Sequence, residues 1–311
     1  MLSDLILYQY ALSPFSEKIR AMAGYCGVSW CAVDVTSAPP RPELLALTGG
    51  YRKIPVAQIG ADVFCDTRTI ARELERLSGK TGLDVAQADD EVKAFVKRCD
   101  LELFFACLIG SSNLRSLWNL LKATSLTETV RFFGDRIAMG RKAKVQAPSP
   151  GKAKKLLDEH LHDLSRRLEN YLFLFGEEPC IADFSAYHGL WYVREVSGRN
   201  LKKDFPAVEA WMDRIRNFGH GARETITADQ ALDVAQKAKP RAVAKDYQAV
   251  DGSPGMNTRV TIAPSDYGRD PVRGWVVGSG EHEWVIARED SRVGLVHVHF
   301  PTEGFRVRED S

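Results

Sequence analysis

Three kinds of sequence pattern follow one another along the 311 residues, and their order restricts the folds open to this chain. In the first 80 residues, short apolar segments alternate with segments whose apolar residues have helical spacing. From about Asp89 to Gly219 the spacing is helical almost throughout, and beyond Lys245 short β-rich segments dominate. This order predicts an α/β domain, then an all-helical bundle, then a small all-β module.

The α/β segment has the order strand, helix, strand, connection, hairpin and helix. Leu5–Tyr8 is the first apolar run, and Ser13-Pro14 opens a helix that reaches about Gly24. Gly60-Ala61-Asp62 separates two short apolar segments and is typical of a hairpin turn. The sequence therefore predicts a β-α-β unit that is followed by a hairpin and a second main helix.

The predicted domain boundaries follow these changes of pattern. Gly140–Gly151, which is basic and contains proline, is predicted to be an exposed loop within the helical bundle. About five strands are expected after the basic linker. We assign 1–80 to the α/β domain, 88–222 to the helical domain, 223–250 to a helix and a basic linker, and 256–311 to the β-rich module.

Charge and composition argue against several classes of partner. Forty-two Lys plus Arg stand against 41 Asp plus Glu, so the chain is not a globally basic nucleic-acid binder. No apolar run approaches the roughly 20 residues of a membrane-spanning helix. Six scattered cysteines have no paired metal or redox spacing, and the N-terminus lacks the features of an export signal. We therefore expect free thiols and a cytoplasmic protein.

Histidines of the tail are the only metal candidates that the sequence offers. His297 and His299 alternate on a predicted strand and share one face, and His282 is their nearest companion. Alternating polar residues more often form the solvated face of a sheet. We expect no metal site.

A helix start follows the first predicted strand. Ser13 precedes Pro14, and the free N–H groups and partial positive charge of such a helix start would stabilise a thiolate. The plain alternative is an ordinary serine N-cap with proline at the first helical position.

Two further features follow in the same domain. Pro55 opens the hairpin, where a cis peptide would aim the backbone of Ile54 at an extended peptide ligand. The plain alternative is a proline that starts an edge strand. Asp66-Thr67 begins the next helix and offers a carboxylate and a hydroxyl to the charged end of an amino acid. The alternative there is an ordinary aspartate N-cap.

In this order and spacing the three features resemble those of the cytosolic glutathione transferases. The resemblance extends over residues 3 to about 220 and rests on LYQYALSPFSEKIR, RKIPVAQIGADVFCDTRTIARELE and EPCIADFSAYHGLWYV. The spacing from Tyr8 to Ser13-Pro14-Phe15 is similar to that of the omega and tau types. The resemblance implies a thioredoxin-like N-terminal domain, a helical second domain, glutathione as cosubstrate and a homodimer.

The resemblance also implies roles for individual residues. Ser13 would donate a hydrogen bond to the glutathione sulfur, with Tyr8 and Ser16 as alternatives. Asp66-Thr67 replaces the usual Glu-Ser pair at the γ-glutamyl end, and Cys180 replaces the usual Ser or Thr of a buried helix cap that contains Asp183. The implied glutathione-binding set is Phe15, Lys53, Ile54, Pro55, Asp66 and Thr67, with Lys53 or a nearby arginine at the glycyl carboxylate.

The implied second substrate is a small hydrophobic electrophile bound between the domains. The expected lining is Leu12, Phe104, Phe105, Leu108, Trp118 and Trp191, which are otherwise ordinary core residues.

Serine at position 13 leaves no enzyme thiolate there for a mixed disulfide, so thiolate attack in conjugation, ether cleavage, dehalogenation or isomerisation is favoured over reductase chemistry. The competing hypothesis is a non-catalytic glutathione-binding or protein-interaction role. The β-rich tail would then be a small docking barrel, although it is equally compatible with a cap on the core.

Overall fold

A computed structural model describes residues 4–142, 147–243 and 254–310 of the chain. Residues 4–80 form four paired strands and three helices, of which the apolar pattern predicted the strands, the first helix and the last, whereas the middle helix lies in the predicted connection. The strands are β1 (Leu5–Gln9), β2 (Trp30–Asp34), β3 (Val56–Ile59) and β4 (Asp62–Cys65), and the helices are α1 (Pro14–Cys26), α2 (Pro42–Thr48) and α3 (Thr67–Ser78).

Strand pairing confirms the thioredoxin-like fold of this domain. β1 pairs in parallel with β2 and antiparallel with β3, and β3 pairs antiparallel with β4. Side chains of β1 alternate between the faces of the sheet. Leu5 and Leu7 pack with α1, α3 and the helical bundle, whereas Ile6 and Tyr8 pack with α2 on the opposite face.

The second part of the chain is helical, as predicted. Two π-helical segments, Cys99–Leu103 and Tyr192–Val196, continue α4 and α9. The helices are α4 (Asp90–Arg98), α5 (Phe104–Ser111), α6 (Leu114–Ala123), α7 (Leu126–Lys142), α8 (Pro150–Arg167), α9 (Ile181–Trp191) and α10 (Pro206–Asn217).

The exposed loop that we predicted over Gly140–Gly151 is wrong at both ends. Residues 140–142 belong to the last turn of α7, because an isolated glycine is tolerated within a helix. Pro150 is the first residue of α8, where its missing N–H and fixed φ suit the first helical position. Residues 147–149 connect to α8 without regular structure, and residues 143–146 lie outside the described residues.

The C-terminal strands continue the sheet of the first domain. The tail forms five strands, as predicted, and the described residues build one ten-stranded sheet of order β10-β6-β7-β8-β9-β4-β3-β1-β2-β5. Asp62 to Phe64 of β4 pair in parallel with His297 to His299 of β9. The added elements are β5 (Arg223–Thr225), α11 (Ala228–Lys237), β6 (Arg259–Pro264), β7 (Val272–Ser279), β8 (Glu283–Asp290), β9 (Gly294–Pro301) and β10 (Phe305–Glu309).

Polar and apolar contacts hold the tail against the core. His299 Nε2 lies 3.0 Å from Asp62 Oδ1, and its Nδ1 lies 3.5 Å from Glu283 Oε1. Fully buried Phe300 packs on Tyr51, whose ring centroid is 5.9 Å away. Of the two roles left open for the tail, these contacts favour the cap on the core.

Among the described residues, no helix is both long and apolar enough to span a membrane.

Candidate functional site

Strand register brings the three sequence features to one edge of the sheet. Tyr8 of β1 lies opposite Val56, and Val56 lies opposite Cys65 of β4. The chain therefore leaves β1 toward Ser13, enters β3 from the Ile54-Pro55 peptide and leaves β4 toward Asp66 at the same end. Segments that are far apart in the sequence thus meet around one site.

Ser13 is the N-cap of α1, and Pro14 follows it at the first helical position. Its Oγ accepts a hydrogen bond from the backbone N–H of Ser16 at 3.1 Å. Because this bond uses an oxygen lone pair, the hydroxyl hydrogen is available to a ligand. A sulfur anion placed at this helix start would also benefit from the partial positive charge of the helix terminus.

The two alternatives to Ser13 have different surroundings. Tyr8 is completely buried and donates a hydrogen bond to Gln58 Oε1 at 2.7 Å. Gln58 is held in turn by bonds from its Nε2 to the carbonyls of Gly60 and Ala231. Burial, and then the charge of Glu43, raise the pKa of Tyr8 well above its usual range, so the phenol stays protonated. The Tyr8 hydroxyl therefore forms its hydrogen bond on the face of the sheet opposite to α1.

Ser16 is also buried, and its Oγ has no hydrogen-bond partner within the described residues. It lies in the first turn of α1, next to the Ser13 cap. A ligand at the helix start is one group that would satisfy this hydroxyl.

The peptide between Ile54 and Pro55 is cis. Ile54 is almost buried and immediately precedes β3, so its backbone lies at the edge where the strand pairing begins. The side chain of the neighbouring Lys53 is only 16% exposed.

Asp66 caps α3 with a left-handed backbone, φ 85°. Its carboxylate accepts bonds from the backbone N–H and the Nε of Arg68, at 3.1 and 2.9 Å. Burial acts to raise the pKa of Asp66, but the charge and hydrogen bonds of Arg68, with the charge of Lys53, outweigh it and lower the pKa to about 2. The carboxylate is therefore ionised at neutral pH, and buried Thr67 follows it as the first residue of α3.

Lys53 is paired with the C-terminal extension. Its Nζ lies 2.7 and 2.9 Å from the two carboxylate oxygens of Asp266, and 4.1 Å from the centre of the Tyr267 ring. The loop between β6 and β7 thus enters the site. Both charged groups predicted to hold the ends of a glutathione molecule, Asp66 and Lys53, already have ionic partners in this chain.

Aromatic rings continue the site into the helical domain. Phe15 packs on Phe104 at 4.7 Å between ring centres, and Phe104 on Phe105 at 5.6 Å. Phe105 meets the edge of Tyr267 at 5.8 Å. These ring contacts connect the start of α1, the helical domain and the tail.

The other predicted electrophile-site residues are less uniform. Leu12, Leu108 and Trp191 are half-buried. Trp118 lies 58% exposed on α6, where Lys122 Nζ sits 5.3 Å from its ring centre, and among the described rings it does not contact Phe104 or Phe105. Helical spacing in the sequence could not show which way this tryptophan points.

A buried polar cluster lies behind the helix start. Lys18 on α1 pairs with Asp100, and His188 Nδ1 lies 4.0 Å from the same carboxylate. The His188 ring packs on Phe15 at 4.6 Å and stacks on Phe104 at 5.5 Å. Burial lowers the pKa of His188 to about 4, so this histidine is neutral at neutral pH.

Asp183 has a structural position at the start of α9. Its carboxylate accepts hydrogen bonds from the backbone N–H of Leu174 and Cys180 and from Trp211 Nε1, at 2.9 to 3.0 Å. Burial, the largest influence, raises the pKa of Asp183.

Sequence reasoning missed Asp266, Tyr267, Arg68 and His188. Asp266-Tyr267-Gly268 looks like an ordinary turn, and its proximity to Lys53 depends on how the tail docks against the core, through pairing of β9 with β4 among other contacts. No group of three or more metal-ligating side chains occurs in the part of the chain that the structure describes.

Comparisons with known proteins agree with this architecture. Residues 7–82 match the family model for the glutathione S-transferase N-terminal domain, and residues 124–217 match that for the C-terminal domain. A GST-like protein from Pseudomonas syringae is 32% identical, with each chain covered completely and a TM-score of 0.79. A glutathione S-transferase from Pseudomonas fluorescens is 18% identical over 69% of this chain and 95% of its own, with a TM-score of 0.46. No curated protein matches the chain.

Proposed function

Because this chain belongs to the glutathione S-transferase family, we propose that it binds glutathione at the sheet edge described above and activates the thiol for attack on a small hydrophobic electrophile. The observation that carries this proposal is the capped start of α1. Ser13 presents a hydroxyl hydrogen at a helix terminus, beside the cis Ile54-Pro55 peptide and the ionised Asp66.

Each of these groups suits one part of the tripeptide. The backbone of Ile54, beside the cis bond, can pair with the cysteinyl residue as a strand pairs with an extended peptide. Asp66 and Thr67 can receive the ammonium and carboxylate of the γ-glutamyl end, because one supplies negative charge and the other begins a helix. Glutathione therefore fits the residues present as a bound cosubstrate.

In the proposed reaction Ser13 stabilises the thiolate rather than acting as a base. The thiol releases its proton to water, and the Ser13 hydroxyl donates a hydrogen bond to the resulting anion. The sulfur then forms the new bond to the electrophilic carbon, and the leaving group departs with its bonding electrons. Phe15, Phe104 and Phe105 form a connected aromatic group against which an apolar electrophile would be held.

Titration calorimetry with glutathione, combined with ultraviolet absorbance of the bound thiolate, tests the proposal. We expect binding by the unaltered protein and turnover of a generic aromatic electrophile. Ser13→Ala should raise the bound thiol pKa and lower turnover about 100-fold, the order seen when one donor to a developing anion is removed.

Tyr8→Phe is the matched control, because it also removes one hydroxyl near the end of β1. The Tyr8 hydroxyl donates its hydrogen bond to Gln58, so we expect turnover of Tyr8→Phe to stay within about two-fold of that of the unaltered protein. Loss of this hydrogen bond should instead lower the stability by about 1 kcal/mol. A Ser13→Ala protein with full turnover and an unchanged thiolate pKa would refute the assignment of Ser13.

A second candidate function is binding without catalysis. The specific observation that favours it is the pairing of both ionic anchors inside the chain, Asp66 with Arg68 and Lys53 with Asp266. In that case glutathione, if bound, would show no thiolate absorbance and no turnover, and Asp66→Ala would still weaken binding.

Two accompanying expectations stay predictions. The cytoplasmic location is tested by cell fractionation, and the homodimer by analytical ultracentrifugation of the purified chain.

A further inference from the structure

The loop between β6 and β7, residues 265–271, belongs to the tail but reaches the predicted glutathione site. Asp266 places both carboxylate oxygens within 2.9 Å of Lys53 Nζ. The pair is partly shielded from water, since the side chains are 16% and 28% exposed. A contact of this geometry is the one a carboxylate ligand would itself make with Lys53.

Neighbouring contacts fix this loop in place. Tyr267 covers the Lys53 ammonium with its ring and meets Phe105 from the helical domain. Gly268 has φ 62°, and an added Cβ would lie 3.3 Å from the Arg52 side chain, so the loop approaches the segment before β3 closely. Asp270 pairs with Arg52 at 3.2 Å. The position of Asp266 is therefore supported on both sides.

The loop between β9 and β10 joins the same arrangement. Ser265 N–H donates to the carbonyl of Gly304 at 2.8 Å, which ties the two tail loops together. Arg68, the partner of Asp66, donates to the carbonyl of Glu303 at 2.9 Å. The tail thus contacts Lys53 at the predicted glycyl end of the site and Arg68 at the predicted γ-glutamyl end.

We propose that Asp266 is a specificity-determining residue that competes with the ligand for Lys53, so that the site accepts thiol peptides whose carboxyl end is neutral, as an amide or ester, as readily as glutathione. This inference rests on the proposed function, because it assumes that the glycyl end of a thiol peptide lies at Lys53. Its physical basis is exchange of ion pairs. A free carboxylate can reach Lys53 only by displacing Asp266, so it gains little net attraction, whereas a neutral end displaces nothing.

The test compares glutathione with glutathione monoethyl ester, which is esterified at the glycyl carboxylate, by titration calorimetry on the full chain. For the unaltered protein we expect the two dissociation constants to agree within about two-fold. Asp266→Asn frees Lys53 and should tighten glutathione about five-fold while the ester changes little, as for a partly exposed ion pair. The double variant D266N/K53M should lose this preference for glutathione.

Asp270→Asn is the matched control, because it removes the same charge from the same loop but from Arg52 instead of Lys53. Its ratio of dissociation constants should stay within two-fold of the unaltered protein, on the order expected of an exposed charge. The proposal is overturned if D266N keeps the ratio of the unaltered protein, or if D270N shifts the ratio as much. Absence of binding by both thiols in every variant would instead refute the proposed function.

Discussion

The ammonium of Lys18, which is completely buried in α1, lies 2.8 Å from both carboxylate oxygens of Asp100. Lys18 belongs to the thioredoxin-like domain and Asp100 to the π-helical segment that follows α4. The pair therefore joins the two domains directly behind the helix start that carries Ser13. A buried charge is stable only with such a partner.

We expect Asp100→Asn to lower the free energy of unfolding by about 3 kcal/mol, because it leaves the buried Lys18 ammonium without its partner, and Lys18→Met, which leaves the partly exposed Asp100 carboxylate, to lower it less. The double variant should cost less than the sum of the single ones. Urea denaturation of all three proteins measures the effect. Lys97→Met, which breaks an exposed pair with Glu303, should change the urea midpoint little, and equal effects at both sites would contradict the prediction.

The low pKa of Asp66 leads us to expect that the free energy of unfolding falls in acid. Its pKa is lowered to about 2 in the folded protein, below the ordinary aspartate value of about 3.9. The ionised carboxylate therefore stabilises the fold above about pH 4, and this stabilisation is lost as the pH falls toward about 2. Asp66→Asn should abolish up to about 2 kcal/mol of this pH-dependent stability. Urea midpoints at roughly pH 2.5, between the folded and unfolded pKa values, and at roughly pH 7, above both, measure most of this change. The same pH dependence in D66N as in the unaltered protein would contradict the assignment.

For His299, at the junction of tail and core, we expect the opposite pH dependence of the free energy of unfolding. Burial acts to lower its pKa, but hydrogen bonds and the charges of Asp62 and Glu283 outweigh this and raise it. The stabilising contribution is therefore present below the unfolded value of about 6.5 and is lost as the pH rises through the folded pKa, with a slope of at most about 1.4 kcal/mol per pH unit.

His299→Gln should remove this slope in urea titrations between roughly pH 6 and pH 9, the range that follows from the ordinary histidine pKa. Other charged groups face the junction: Arg241 lies 3.4 Å from Asp62, and Arg72 lies 3.4 Å from Glu283. The exposed His282 of the same tail supplies the control variant H282Q. A slope that survives in H299Q but not in H282Q would reverse the assignment.

Phe300 tests whether tail and core unfold together. It is completely buried on β9 and contacts Tyr51 of the core and Phe305 of β10. Phe300→Ala should lower the free energy of unfolding by about 3 kcal/mol in a single transition. Trp275→Ala, at a half-exposed ring on β7, should have a much smaller effect. Two separated transitions in differential scanning calorimetry would show that the tail is an independent unit.

Local sequence patterns were sufficient for most of the secondary structure. Ser13-Pro14 predicted the start of α1, where Ser13 is the N-cap and Pro14 the first helical residue, and the helix expected within residues 223–250 is α11. Short β-rich segments after the basic linker predicted about five strands, and the tail forms five. The three-residue strand β5 was missed, since all of its residues are exposed and carry no such pattern.

Long-range contacts could not be predicted in the same way. The partner of Lys53 lies 213 positions further along the chain, and no local pattern encodes that meeting. Phe105 was predicted to line the cleft, but its contact with Tyr267 depends on how the tail docks. Trp118 was predicted to line the electrophile site, but its side chain on α6 is 58% exposed.

The pairing of β4 with β9 also sets the order of events during synthesis on the ribosome. Asp62 and its partner His299 are 237 positions apart. At about 5 to 20 residues per second, β4 is made on the order of 10 to 50 seconds before β9. During that interval β4 lacks its partner β9, so one edge of β4 is exposed and other chains can pair with it. Slow translation or early release of this chain would therefore favour aggregation through β4.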